Sequence, residues 1–285
     1  MRFLLTGANG QLATDIRRIL PPDKVVPLTH EQFDICDGQA VEKLVQQFRP
    51  DCIINTAAFN RVDDCEDQPD RALAVNSVGV YHLARAADRT NAALVHFSTD
   101  YVFDGTKRTP YIETDSPRPL SIYGMSKLAG EWAVQTYAER HFIIRTCGLY
   151  GLAGSRSKGG NFVERMLERA REGKPIRVVS DQILTPTSAR ELAERVVPLI
   201  RAAPYGLYHM TNSGECSWYE FAQEVFRLTH LSPDLSPTSS QAFAAKAVRP
   251  PYSVLDNRAL RVAGFPDFRP WPEALADYLR ERLPR

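Results

Sequence analysis

The chain has 285 residues, 44% of them hydrophobic and 24% charged, with a formal net charge of +1. That balance is ordinary for a soluble globular protein and offers no block of like charge for nucleic acid or an acidic membrane, so a small molecule is the expected partner. The length suits one larger domain with a smaller annex, and no run approaches the ~20 apolar residues of a membrane span.

Through the first half, short apolar runs alternate with helical patterns. Phe3-Leu4-Leu5, Val25-Val26, Cys52-Ile53-Ile54, Leu94-Val95-His96-Phe97 and Phe142-Ile143-Ile144 are each bounded by polar or turn residues. Between them, Val41, Leu44, Val45 and Phe48 fall at helical spacing, with Asp37 placed as an N-cap. Strands that are apolar throughout have both faces covered. This predicts an α/β fold, a Rossmann-like doubly wound parallel sheet flanked by helices, over residues 1–150.

After about residue 150 the rhythm changes. Residues 151–160 form a polar, glycine-rich loop, and Pro175, Pro186, Pro198 and Pro204 interrupt the helices and strands beyond it. Residues 151–285 are expected to be mainly a smaller α/β substrate-binding domain over the carboxyl edge of the sheet, with some segments returning to the first domain. Trp218, Tyr219 and Phe221 to Val225 read as the buried side of an amphipathic helix in that annex.

Cys36, Cys52, Cys65, Cys147 and Cys216 are scattered, with no two-residue spacing that could clip a metal. Reduced, mostly buried thiols and a cytoplasmic location follow by default, since the start lacks a signal-peptide core. The six histidines, at 30, 82, 96, 141, 209 and 230, form no pair at ligand spacing and read as core or surface residues. Asp63, Asp64, Glu66 and Asp67 read as a solvated helix start favoured by the helix dipole. No metal is expected.

TGANGQLA, residues 6–13, follows a strand and opens a helix over 11–20. Gly7 allows a tight turn, Gly10 lets a pyrophosphate approach the backbone, and Ala13 is small enough for close helix–strand packing. The helix start then offers free N–H groups and a positive dipole end. The second strand ends in Leu28-Thr29-His30, without the acidic residue that would hold an adenine ribose, so NADPH is acceptable beside NADH.

YGMSK, residues 123–127, puts a phenol and an ammonium one helical turn apart. A tyrosine is a poor proton donor at neutral pH unless its phenolate is stabilised, and a lysine on the same helix face supplies the charge. In a chain with 11 tyrosines the spacing alone is unconvincing, since chance can supply it. Context strengthens it: STDYVFDG, residues 98–105, leaves the fourth strand at its carboxyl end, where the Ser98 and Thr99 hydroxyls could donate to a carbonyl oxygen.

TGANGQLA, INTAAFNRVD, STDYVFDG, YGMSK, RTCGLYG, the NFV at 161–163, DQILTPTSA and RPPYSVLD together resemble the dTDP-4-dehydrorhamnose reductase family of extended short-chain dehydrogenase/reductases. The resemblance runs from Met1 to RPWPEALADYL. It implies reduction of the 4-keto group of a nucleotide-linked 6-deoxysugar by NADPH or NADH. Thr99 would polarise the keto oxygen, Tyr123 protonate it, and Lys127 tune the tyrosine and hold the nicotinamide ribose. Gly7, Gly10, Gln11 and Leu12 would line the pyrophosphate, Asp34 and Ile35 the adenine, and Ala57 and Ala58 the length of the cofactor. Val62, Tyr101, Asn161 and Arg249 would face the sugar nucleotide.

Two departures from the family pattern stand out. Gly148 replaces the tryptophan of R-T-S-W, and Asn60 replaces a threonine. Losing an aromatic from a sugar pocket changes its shape. Two other readings stay open at this point: a cofactor-binding regulatory subunit of the methionine adenosyltransferase type, and a sugar-nucleotide epimerase or dehydratase. A homodimer is compatible with all three.

Overall fold

The computed structural model describes residues 1–154 and 159–283; residues 155–158 of the expected polar loop and 284–285 lie outside the described residues. β1 (Phe3–Thr6), β2 (Val25–Leu28), β3 (Cys52–Asn55), β4 (Ala93–Thr99) and β5 (His141–Thr146) pair in parallel, and β6 (Gly206–His209) from the second half of the chain adds to β5. The order across the sheet is β6-β5-β4-β3-β1-β2. Every residue of β1, β3 and β4 is buried, which is why these sequences do not alternate. Between β1 and β3 the order reverses, and ligands of open parallel sheets gather beyond the carboxyl ends at such a point.

The principal helices are α1 (Gln11–Ile19), α2 (Gly38–Phe48), α3 (Gly79–Thr90), α4 (Ile122–Tyr137), α5 (Phe162–Arg171), α6 (Ala189–Ala202), α7 (Trp218–Thr229) and α8 (Trp271–Arg282). Asp37 caps α2, accepting from the amides of Gln39 and Ala40. α1 and α6 cover one face of the sheet, with Leu12, Ile16, Leu192 and Val196 packed on Leu5, Ile54 and Ile144. α2, α3 and Val134 of α4 cover the other.

Pro198 does not interrupt the chain as expected, because α6 runs through it. A proline inside a helix costs about 3 kcal/mol. Burial of Leu192, Val196, Leu199 and Ile200 on the same helix, at roughly 1.5–3 kcal/mol each, more than offsets that.

The annex has its own core, in which Tyr150, Val163, Phe221, Val225 and Leu275 are buried. Its aromatic rings touch one another: Phe162 lies 4.6 Å from Trp218, and Phe221 lies 5.6 Å from Trp271. A short parallel pair, Ile176–Val179 with Leu235–Thr238, lies beside it.

Candidate functional site

The glycine turn after β1 is fixed from below. Gly7 has φ +68°, and a Cβ there would lie 2.7 Å from the Ala57 amide nitrogen, so both conformation and space require glycine. The Gly10 amide donates to Gly7 O, and no side chain caps the start of α1. An uncapped helix N-terminus beyond the carboxyl end of a parallel strand has the donors a pyrophosphate needs. Leu12 is buried in the core and Gln11 turns toward Gly151, so these two can serve a phosphate only through their backbone amides. Asp34 is exposed and accepts from the Cys36 amide, Ile35 is buried against Gly79, and Ala57 and Ala58 follow β3.

α4 is seated with little freedom. Ser121 caps it by accepting from the Gly124 amide. A Cβ on Gly124 would overlap Tyr101 O, and one on Gly130 would overlap Asn76 O, so two glycines let the helix press against its neighbours. Buried Asn76 donates to Ser126 Oγ at 3.0 Å and bonds both backbone groups of Phe59. This seating holds Tyr123 and Lys127 beside the end of β4. The Tyr123 ring meets Tyr101 edge-on at 5.8 Å, and its phenol is hydrogen-bonded to Thr99. Thr99 Oγ1 in turn donates to Asp100 Oδ1 at 3.1 Å and accepts from the Tyr101 amide at 3.2 Å.

Burial pushes the Tyr123 phenol up, and Thr99 partly opposes this by stabilising the phenolate. Asp100, Cys65 and Cys147 push it further in the same direction as burial. Lys127 is itself only 2% exposed, and burial pushes its ammonium down to about 8 against the opposing pull of Glu131. Its Nζ lies 3.4 Å from His96 Nε2. The Glu131 carboxylate bonds Arg145 at 2.9 and 2.6 Å and accepts from Ser98, in a buried pair whose geometry satisfies both charges. His209, fully buried, donates from Nδ1 to Tyr111 O, and burial and Arg145 together push it down to about 3.

Three of the residues expected to face the sugar nucleotide lie close to one another. Arg249 interacts with Tyr101 and pairs with Asp63 at 2.9 Å, next to Val62 at the start of the 62–67 helix, and Tyr101 meets Tyr123. Asn161 is used differently. It caps α5 by accepting from the Glu164 amide, and it donates to Gly151 O and Tyr278 Oη. Its side chain is committed to the annex, leaving only the surrounding loop to face a ligand.

The acidic run is not merely solvated. Asp63 holds Arg249, Asp67 pairs with Lys246, and Glu66 accepts from the Ile122 amide at the first residue of α4. Gly148 has φ +54°, and a Cβ there would meet Leu184 Cδ1 at 3.0 Å, Pro186 Cα at 3.2 Å and Trp218 Cη2 at 3.6 Å. The Trp218 indole, read from sequence as annex core, is half-buried and lies against Gly148.

Sequence reasoning missed Asn55, Asn76, His96, Glu131 and Arg145. Each is a polar residue inside an apolar-looking element, a pattern that marks a buried network without saying what it holds. A separate cavity of about 540 Å³, lined by Asp15, Ser188, Glu191, Arg195, Arg269 and Tyr278, contains none of the candidate site residues. Among the described residues, no three His, Cys, Asp or Glu side chains are grouped to hold a metal ion, and no helix is long and apolar enough to cross a membrane.

A parallel sheet with a glycine turn after its first strand and a Tyr-Lys helix beside the end of its fourth defines the short-chain dehydrogenase/reductase type of α/β protein. Within that class the chain belongs to the family described as RmlD substrate binding domain, which matches residues 1–283. It is 42% identical over 283 residues to the spore coat polysaccharide biosynthesis protein SpsK of Bacillus subtilis, covering 99% of this chain and 98% of that one. It is 40% identical to a dTDP-4-dehydrorhamnose reductase of Streptomyces griseus, over 97% of this chain and 92% of the relative. The crystal structure of dTDP-4-dehydrorhamnose reductase from Bacillus anthracis in complex with NADP superposes with a TM-score of 0.94 at 38% identity, covering 98% of this chain and 99% of that one.

Proposed function

We propose that this chain is an NAD(P)H-dependent reductase acting on the 4-keto group of a dTDP-linked 6-deoxyhexose, converting dTDP-4-dehydrorhamnose to dTDP-rhamnose. The observation that carries this reading is the Tyr123 phenol bonded to Thr99 on the same sheet edge as the uncapped start of α1. The resemblance to the Streptomyces griseus reductase and to the NADP-bound Bacillus anthracis structure supports it.

A bound dihydronicotinamide supplies the hydride. Gly7, Gly10, Gln11 and Leu12 would hold the pyrophosphate, Asp34 and Ile35 the adenine end, Ala57 and Ala58 the middle, and Lys127 the nicotinamide ribose. Thr99 and Tyr123 converge on the keto oxygen. Thr99 donates a hydrogen bond as negative charge grows there, and Tyr123 gives up its phenolic proton. Tyr101, Val62, Arg249 and the loop at Asn161 would orient the sugar nucleotide. Gly148 and Trp218 would shape the wall against which the sugar lies.

On the same grounds we take the enzyme to be cytoplasmic, with its cysteines reduced. Self-association would cover Met125, Trp132 and Tyr137, which are exposed on α4. Intact Thr99, Tyr123 and Lys127 argue against a silent regulatory subunit. Purified protein should oxidise NADPH or NADH stoichiometrically on addition of a dTDP-4-keto-6-deoxysugar. Catalytic turnover without net oxidation would indicate an epimerase or dehydratase instead. Tyr123→Phe should lower turnover by about 10²–10⁴-fold while leaving NADPH affinity unchanged; near-normal turnover would remove Tyr123 from its role.

A further inference from the structure

The buried polar chain beneath Lys127 has a direction. The Ala57 amide donates to Asn55 Oδ1 at 3.1 Å, and Thr6 Oγ1 donates to the same oxygen at 2.7 Å. A backbone N–H can only donate, so the carbonyl end of the Asn55 amide is fixed toward the glycine turn. Its NH₂ end therefore faces His96 Nδ1, at 3.2 Å. A neutral imidazole that accepts on one nitrogen carries its proton on the other. Full burial and the neighbouring Lys127 keep His96 neutral. The hydrogen thus sits on Nε2, 3.4 Å from Lys127 Nζ. An amine can accept that hydrogen, whereas an ammonium, which has donors only, cannot.

We infer that Asn55 and His96 are positioning residues that lock a tautomer against Lys127, so that the lysine holds its proton loosely. The inference rests on the proposed reduction for its purpose: a fixed His96 N–H sets the place and the proton affinity of the amine that would hold the nicotinamide ribose. The titratable groups around Lys127 are His96 on β4, and Tyr123 and Glu131 on its own helix. Glu131 is already engaged by Arg145 of β5. The chain Ala57–Asn55–His96–Lys127 also links the cofactor-facing turn to the lysine.

The first test is the ¹⁵N imidazole spectrum of the full-length protein. It should show His96 neutral and protonated on Nε2 between about pH 6 and about pH 9; an Nδ1–H tautomer or an imidazolium would overturn the inference. The second is Asn55→Asp, which keeps the acceptor for Ala57 and Thr6 but turns an acceptor toward His96. The proton then moves to Nδ1, Nε2 accepts from the ammonium, and the Lys127 pKa, followed by its ¹³Cε shift, should rise by about one pH unit or more. No rise would equally overturn it. Neither readout needs substrate, so failure here is distinct from failure of the reductase reading, and the unsubstituted protein's spectrum decides even if Asn55→Asp does not fold.

Discussion

The platform under α4 and the core of the annex are both buried, yet they are built in opposite ways. Beneath α4, Asn55, Asn76, His96, Lys127, Glu131 and Arg145 are each at most 3% exposed, and the helix is pressed down through two glycines. In the annex, Phe162, Trp218, Phe221 and Trp271 pack ring to ring, at angles from 23° to 78°. Hydrogen bonds prescribe direction, so the platform can place a phenol and an amine in one orientation only. Aromatic packing prescribes shape, and it tolerates volume-conserving adjustment. Under the proposed function, the chemistry would fall to the first material and the fit of the sugar to the second.

The difference is open to test, beginning with acid. His209 is pushed down to about 3 from an ordinary value near 6.5. As pH falls below about 6.5 the unfolded chain takes up a proton that the native protein refuses, so stability is present above that pH and is lost down to about pH 3. The loss is on the order of 5 kcal/mol, measured by urea unfolding at stepped pH. His209→Gln should flatten the profile, and an unchanged profile would show that the burial of His209 beside Arg145 does not govern acid stability.

Gly130→Val comes next, because its side chain would overlap Asn76 O. It should cost about 3 kcal/mol in urea unfolding and lower turnover by displacing Lys127. If the variant were as stable as the parent, α4 would not be seated as tightly as described.

Lys127→Met should act in the opposite direction on stability. The ammonium is pushed down to about 8 from 10.5, so below about pH 8 it is charged in both states and destabilises the fold. Between the two values the native protein sheds its proton first, and stability rises with pH. At neutral pH the methionine variant should gain about 2 kcal/mol, visible as a Tm higher by a few degrees, while turnover falls. A lower Tm would mean that Glu131 compensates the buried charge. The smallest effect belongs to the annex, where Phe162→Leu should cost about 1 kcal/mol and alter KM for the sugar nucleotide more than kcat. A larger loss in kcat would blur the division between the two regions.

Much of this was readable along the chain. The five apolar runs, the Asp37 cap and the glycine turn all depend on neighbours within a few residues, and each lies where local propensity put it. That Thr99 and Tyr123 would lie together could be anticipated because strand end, helix and spacing each left a mark. Pro198 was misjudged because a local penalty was weighed without the burial of the rest of α6. Asn161 was read as pocket-lining because nothing nearby in sequence reveals that Tyr278, 117 residues away, takes its amide.

Residue order by itself determined the alternation of strand and helix, the free helix start after β1 and the phenol–ammonium pair, since backbone sterics and hydrophobic period act over short distances. Only the folded chain decided which proton faces Lys127, that Arg249 reaches Asp63, and that Trp218 lies beside Gly148. Those depend on contacts across roughly forty to two hundred positions, where hydrogen-bond direction and packing, rather than propensity, choose the outcome.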